Sequence, residues 1–204
     1  HHKIDKAVIS IPQYFNQYQI ETTKKAFTLA NLEIADIIIE PISAALAFGL
    51  NKKEESHALI IDTDREILSL SILDIYYNKV MVHAMLSNID LNMKNYSRSI
   101  VYPFIDHDRS SFVSINSISN QPSEFYKAAI EKLFQKANIN EKAITDVILV
   151  NGSKRIQQLL LLVQQLFNFE PLNNDIEANN VFAYGAAIQI QIIEQSDFEK
   201  IEIN

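Results

Sequence analysis

AVISIPQYFN, residues 7–16, and EPISAALAFG, residues 40–49, are the stretches that decide the fold of this chain. The first opens with a short, apolar, β-branched run that stops at Pro12, which is typical of a buried strand. Gly49 closes the second stretch and is suited to end a helix. The predicted elements are a strand at 7–11, a helix at 17–31, a strand at 34–39 and a helix at 42–50. Strand and helix alternate, so we expect an α/β class with a parallel sheet.

The rest of the chain predicts a second sheet. Short apolar runs separated by turn residues favour an antiparallel meander, and a polar connector at 51–56 divides this part from the first. The predicted strands are 58–61, 67–73, 79–85 and 144–150, with turns at 62–66 and 76–78, and the predicted helices are 124–137, 156–167 and 181–193. We therefore expect mixed sheets flanked by helices.

Composition excludes several classes of protein. The 18 Lys and Arg stand against 25 Asp and Glu, a formal net charge of −7, and an acidic chain is a poor nucleic-acid binder. Apolar runs fall short of the ~20 residues of a membrane span. The absence of Cys excludes disulfides, thiolate zinc sites and cysteine nucleophiles. We expect no nucleic-acid partner, no membrane insertion and an intracellular location, either the cytoplasm or an organelle matrix such as that of mitochondria.

Four motifs in order resemble the ATPase domain of the 70-kDa heat-shock (DnaK-like) family. The family patterns are VPAYFN, NEPTAAALAYG, LVGGSTRIP and AYGAA. The corresponding residues here are AVISIPQYFN at 7–16, EPISAALAFG at 40–49, VILVNGSKRI at 147–156 and AYGAAIQ at 183–189.

The resemblance implies an actin-like ATPase (ribonuclease H-like) fold that is truncated. Residues 1–50 would be a remnant of the first ATPase lobe. Residues 51–204 would form the core of the second lobe without its helical adenine-side subdomain, because 102–121 is too short to contain it. The family's first phosphate-binding turn and catalytic Lys would lie before residue 1, and its peptide-binding domain would lie after residue 204.

The second phosphate loop departs most from the family pattern, DLGGGTFDVSI. All three glycines that would let backbone amides surround a phosphate are replaced, and two replacements are acidic where the γ-phosphate would lie. The corresponding residues are Asp62, Asp64, Arg65, Glu66, Ile67 and Ser69. Phosphoryl transfer depends on positioning and charge stabilisation. We therefore expect a pseudo-ATPase without catalytic residues.

The loop that would contact adenosine matches the family pattern more closely than the second phosphate loop does. Gly152, Ser153 and Arg155 match the family pattern, although its first Gly is Asn151. Arg155 could stack on an adenine ring, or the turn could simply join a strand to a helix. Glu40 matches the family's metal-proximal Glu, and without a phosphate loop we favour a role in capping or pairing at Pro41.

No metal site is predicted. Asp62, Asp64 and Glu66 resemble the start of a calcium loop, but Ile67 and Leu73 stand where an EF-hand needs Gly and Glu. Residues 106–108 (DHD) are interpreted as solvated surface. We expect no cofactor; ATP or ADP with Mg²⁺, bound weakly, is the alternative.

The function expected is a degenerate heat-shock-70-type domain that acts as a protein-interaction or structural assembly module. The alternatives are a nucleotide-binding chaperone and a co-chaperone. The first strand is apolar on both faces, and an uncovered strand edge promotes association. We therefore expect other protein subunits to bind near Ile4, Ala7, Ile9 and Ile11.

Overall fold

The computed structural model describes residues 6–52, 55–64, 67–76, 79–88, 104–105, 122–150, 156–169, 171, 176–177 and 180–202. The strands are β1 Lys6–Ile11, β2 Glu33–Ile39, β3 Ser56–Asp64, β4 Ile67–Tyr76, β5 Lys79–Asn88, β6 Phe104–Ile105 and β7 Ile144–Val150. The helices are α1 Gln17–Leu29, α2 Glu40–Ala47, α3 Pro122–Ala137, α4 Ile156–Phe167 and α5 Val181–Glu202.

The described strands form two sheets. β1 and β2 pair in parallel and are connected through α1, as the βαβ pattern predicts. The second sheet has the order β6-β5-β4-β3-β7. Its β3–β4–β5 meander is antiparallel, whereas β7 returns parallel to β3. The prediction of mixed sheets flanked by helices is confirmed.

Several boundaries differ from the prediction by two or more residues, and two of them have a clear local reason. Residues 62–64 belong to β3 and not to a turn, because the antiparallel ladder continues as far as the pair Asp64–Ile67. The helix α2 begins at Glu40, and Pro41 occupies its first turn, where no backbone N–H is required. The end of α2 agrees with the prediction, since Gly49 follows it with a φ of +72°.

Two hydrophobic clusters cover the two faces of the larger sheet. Alternate residues of β3 point to opposite sides, so Leu59 and Ile61 pack on the α3 and α4 side whereas Ala58 and Ile60 pack on the α2 side. The first cluster is closed by buried residues of α3, including Leu133. Each helix layer thus removes one face of the sheet from water, which is the main stabilising contribution to such a fold.

Helices α2 and α5 cross at very short range. Gly185 lies so close to α2 that a Cβ there would be 1.8 Å from the backbone oxygen of Ser43. The buried Ser43 Oγ donates a hydrogen bond of 2.6 Å to the carbonyl of Phe182 on α5. Glycine is therefore required at this crossing.

The long helix α5 also covers the small sheet. Ile188 and Ile192 of α5 pack with Val8 of β1 against a buried cluster that contains Ile38 and Ala186. The side-chain amide of Gln189 donates to Asp36 Oδ2 at 2.9 Å. The helix α5 therefore packs on β1 and is hydrogen-bonded to β2.

The predicted interface on β1 needs a correction at two of its residues. Ile9 and Ile11 are 8% and 3% exposed, because both are buried within the chain itself. Ala7 is partly buried, and Ile4 lies outside the described residues. Among the described strands only β2 pairs with β1. What remains for a partner here is the backbone edge of β1.

Candidate functional site

A narrow cleft lies between the start of α2 and the β3–β4 hairpin. Glu40 and Pro41 line it from one side, and Asp62 and Ser69 line it from the other. Asp62 and Ser69 are register partners across the ladder, so their side chains share a face of the sheet. The structure thus brings together three residues that the motif comparison selected in separate parts of the sequence: Glu40, Asp62 and Ser69. The remaining lining residues are Gln13, Ile60, Ser71 and Phe182.

Gln13 extends from the end of β1 into this cleft. Its side chain is buried, with 6% exposed. Its Nε2 donates to the backbone oxygen of Leu86 on β5 at 3.0 Å, and its Oε1 accepts from Ser71 Oγ on β4. Because both the nitrogen and the oxygen of the amide have a partner across the cleft, the side chain joins the two sheets.

Sequence reasoning missed Gln13. The available signal was its position in the first motif, where the family pattern VPAYFN has a small Ala between Pro12 and Tyr14. The Gln side chain is longer than Ala and carries an amide, and in this fold it reaches β4 and β5.

The cleft has very little room. The cavity between these residues measures about 10 Å³, which is close to the minimum for a single water molecule. Two carboxylates, those of Glu40 and Asp62, contribute negative charge to its walls. The side chains described at this cleft therefore do not fit the phosphate chain of a nucleotide or a hydrated Mg²⁺ beside it.

Several predicted site residues lie outside the described part of the chain. These are Arg65, Glu66, Gly152, Ser153 and Arg155. The backbones of Asp64 and Ile67 pair with each other at the end of the β3–β4 ladder, but their side chains are not described. Ser69 is buried, with 7% exposed, and faces the cleft.

The described residues were compared with what a metal site and a membrane span require. No three His, Asp or Glu side chains are placed there so as to hold a metal ion. None of the helices described above combines the length and apolar character needed to cross a membrane.

Comparisons with known proteins extend over almost the whole sequence. The family model described as "Hsp70 protein" matches residues 1–121 and 108–203. The chain is 27% identical to "Heat shock cognate 70 kDa protein 3" of Dictyostelium discoideum, with 97% of this chain and 40% of that protein covered. It is 26% identical to a ribosome-associated molecular chaperone of Eremothecium gossypii, with 96% and 40% covered.

A bacterial relative gives the same result. The chain is 29% identical to "Chaperone protein DnaK" of Mycoplasma mycoides, and the match covers 92% of this chain and 41% of that protein. The chain thus spans about 40% of the length of the relatives it matches. The family match and the mixed α/β architecture agree with the four motifs. This chain belongs to the Hsp70 family and carries part of its actin-like ATPase domain.

Proposed function

We propose that this chain is a degenerate Hsp70-type ATPase domain that has lost ATP hydrolysis and acts as a protein-interaction or structural assembly module. Members of the Hsp70 family are ATPases that bind ATP or ADP with Mg²⁺ and interact with other proteins. We propose that this chain has retained the interaction with other proteins and has lost the hydrolysis of ATP.

The observation that carries the proposal is Gln13 in the cleft. Its amide is hydrogen-bonded to β4 and β5, and the space left beside Glu40 and Asp62 is about 10 Å³. Opening the cleft for phosphates would break both hydrogen bonds of a buried amide, which costs about 1–3 kcal/mol for each group left unsatisfied. A triphosphate would then also lie beside the carboxyl groups of Glu40 and Asp62.

The sequence of the β3–β4 turn supports the same conclusion. The family's glycine triplet corresponds here to Asp64, Arg65 and Glu66. Residues with a Cβ restrict the close approach of backbone amides to a phosphate, so the preorganised electrostatic contribution to phosphoryl transfer is lost.

The second candidate is a nucleotide-binding chaperone, or a co-chaperone, that holds ATP or ADP with Mg²⁺ weakly. The observation in its favour is that Glu40, which matches the family's metal-proximal Glu, and Asp62, which opens the second phosphate loop, line one cleft. Gly152, Ser153 and Arg155 would contact the adenosine. The relatives from Eremothecium and Mycoplasma are named as chaperones.

The division of the chain is part of the proposal. We place a first-lobe remnant at 1–50 and a second-lobe core at 51–204. The alignment with the Dictyostelium protein spans 252 positions, more than the 204 residues of this chain. That relative therefore has residues within the matched span without a counterpart here, which supports the loss of a helical subdomain.

The surface proposed for another subunit is the backbone edge of β1. Among the described strands, β1 pairs with β2 alone, and we propose that a strand of another subunit pairs with its second edge. Such an edge favours pairing with a further chain. We propose that the assembly forms inside the cell, in the cytoplasm or an organelle matrix.

Thermal unfolding with and without millimolar Mg-ATP or Mg-ADP tests the loss of nucleotide chemistry. A ligand at about 100 times its dissociation constant adds about 2.7 kcal/mol, which raises Tm by roughly 5–10 °C for a chain of this size. We expect no rise and no phosphate release above the buffer blank. A clear rise with release would establish an active ATPase, and a rise without release would favour the second candidate.

Sedimentation of the purified chain tests the assembly role separately. We expect species larger than the 23.3 kDa monomer or a co-purifying subunit whose binding protects β1 from amide exchange. A chain that stays monomeric at high concentration, binds no partner and exchanges freely at β1 contradicts the assembly proposal.

A further inference from the structure

Three ionisable side chains meet on the α3 side of the larger sheet, away from the cleft. His57 on β3 and Asp74 on β4 are register partners, and His57 Nδ1 lies 2.8 Å from Asp74 Oδ1. His83 on β5 approaches the same carboxylate, with its Nδ1 3.0 Å from Oδ1 and 2.9 Å from Oδ2. The two imidazole rings lie edge to face, with their centroids 6.0 Å apart.

A β-bulge places His83 in this position. Ile72 of β4 pairs with Ala84 and Leu73 pairs with Val82, so His83 is the extra residue of β5. Val82 packs with the α2-side cluster, whereas Ala84 belongs to the α3-side cluster. A bulge redirects a side chain and interrupts the alternation, and here it directs the imidazole of His83 towards α3.

The second ring nitrogen of His83 contacts the end of α3. Nε2 lies 2.9 Å from the backbone oxygen of Ala137, the last residue of that helix. Both ring nitrogens therefore face acceptors, one a carboxylate and one a carbonyl. A neutral imidazole has a single N–H and can donate to only one of them, whereas the imidazolium can donate to both.

The surroundings also favour the protonated ring. The last carbonyls of a helix form the negative end of its dipole, and Asp74 adds a formal negative charge. The hydrogen bond to Ala137, followed by that to Asp74, raises the pKa of His83 above its usual value of 6.5.

We propose that His83 is a proton-operated latch that fastens the C-terminal end of α3 to the sheet, closed when the imidazole carries two protons and loosened when it loses one. The latch is independent of nucleotide, so it stands whether or not the proposed loss of ATP hydrolysis is correct. Its ligand is the proton that binds to the imidazole of His83.

Charged groups on three elements act on this latch. β4 contributes Asp74, whose charge favours the closed state. β3 contributes His57, which shares Oδ1 of that carboxylate and competes for it. α3 contributes the Ala137 carbonyl, which favours the closed state, and the exposed Lys136 precedes it in the helix; partial burial of the ring lowers the pKa of His83 and so opposes the closed state.

The direction of the pH effect follows from the higher pKa in the folded state. The latch contributes its full stability below pH 6.5, the pKa of an unfolded His, and loses it as pH rises through the higher folded pKa. Above that value His83 keeps a single N–H, so it no longer donates to Asp74 and to the Ala137 carbonyl at the same time, and its positive charge at the end of α3 is lost. The end of α3 then opens more often.

Amide hydrogen exchange of the full chain, measured in EDTA from about pH 5.5 to 8.5 and corrected for intrinsic rates, tests the latch. Peptides covering residues 130–138 should lose protection by roughly two- to fivefold across this range, as expected for a cation at a helix C-terminus. Peptides from β7 should keep theirs. In His83→Gln, the amide can donate a hydrogen bond but does not titrate, so the protection of residues 130–138 should not change with pH.

The matched control is His57→Gln, which should retain the pH dependence because His83 is intact. NMR titration of the wild-type imidazoles provides a second readout that needs no variant: the midpoint of His83 should lie above 6.5. A His83 midpoint at or below that value, or a pH profile that survives His83→Gln and disappears in His57→Gln, would overturn the proposal.

Discussion

The crossing of α2 and α5 gives the sharpest prediction, the effect of Gly185→Ala. The added Cβ would lie 1.8 Å from the Ser43 backbone oxygen and 2.5 Å from its carbonyl carbon. Side-chain Cβ atoms essentially never approach closer than 3.0 Å. Because the obstacle is backbone on a buried helix, no rotamer change can relieve the clash. The two helices have to move apart.

The magnitude follows from what this movement breaks. Overpacking a buried contact costs about 1–3 kcal/mol. The 2.6 Å hydrogen bond from the buried Ser43 Oγ to Phe182 would be lost, at about 1–3 kcal/mol. Alanine is the better helix former and returns about 1 kcal/mol. We expect the free energy of unfolding to fall by about 3 kcal/mol.

Urea unfolding followed by far-UV circular dichroism measures this change. Two variants are matched controls. Ala187→Gly lies at an exposed position of the same helix and should lose only about 1 kcal/mol of helix propensity. Ser43→Ala should lose about 1 kcal/mol, because it removes the hydrogen bond without a clash. A Gly185→Ala chain as stable as the wild type would refute the close crossing.

Three further changes test other parts of the fold by urea unfolding. Gln13→Ala removes the hydrogen bonds that Gln13 makes to Ser71 Oγ and to the Leu86 carbonyl, and should cost about 2–4 kcal/mol of unfolding free energy. The exposed Gln17→Ala should be close to neutral, and equal effects of the two variants would contradict the role of Gln13 in joining the sheets. Gly49→Ala has open space around its Cβ but a φ of +72°, so a loss of about 1 kcal/mol should come from backbone strain alone, and a gain would contradict it. Asn16→Ala removes the capping box with Gln19 and should cost about 1 kcal/mol, with lower helicity as a second readout.

Local sequence features predict the order and type of most described elements. The β-branched runs at 7–11 and 144–150 become strands whose buried residues include Ile9, Ile11 and Val147, and Gly49 ends a helix because it tolerates positive φ. The family comparison selected Glu40 in one motif and Asp62 and Ser69 in the second phosphate loop, and the fold brings these three residues to one cleft.

Features that depend on distant partners could not be predicted. The strand β3 continues through three polar residues because β4 supplies a ladder as far as Asp64. The bulge at His83 cannot be predicted from the alternation of apolar and polar residues in β5, because it is defined by the pairing of β5 with β4. Gln13 accepts a hydrogen bond from Ser71, 58 residues away in the sequence, and donates one to Leu86, 73 residues away.

The cover that α5 provides for β1 has a consequence for synthesis on the ribosome. Val8 is made roughly 180 residues before Ile188, which packs against the same cluster. At about 5–20 residues per second, translation takes roughly 10–40 s to supply that cover. Throughout this interval the apolar face of the first βαβ unit is exposed in the nascent chain. Until α5 leaves the ribosome, the chain presents the kind of surface that molecular chaperones bind.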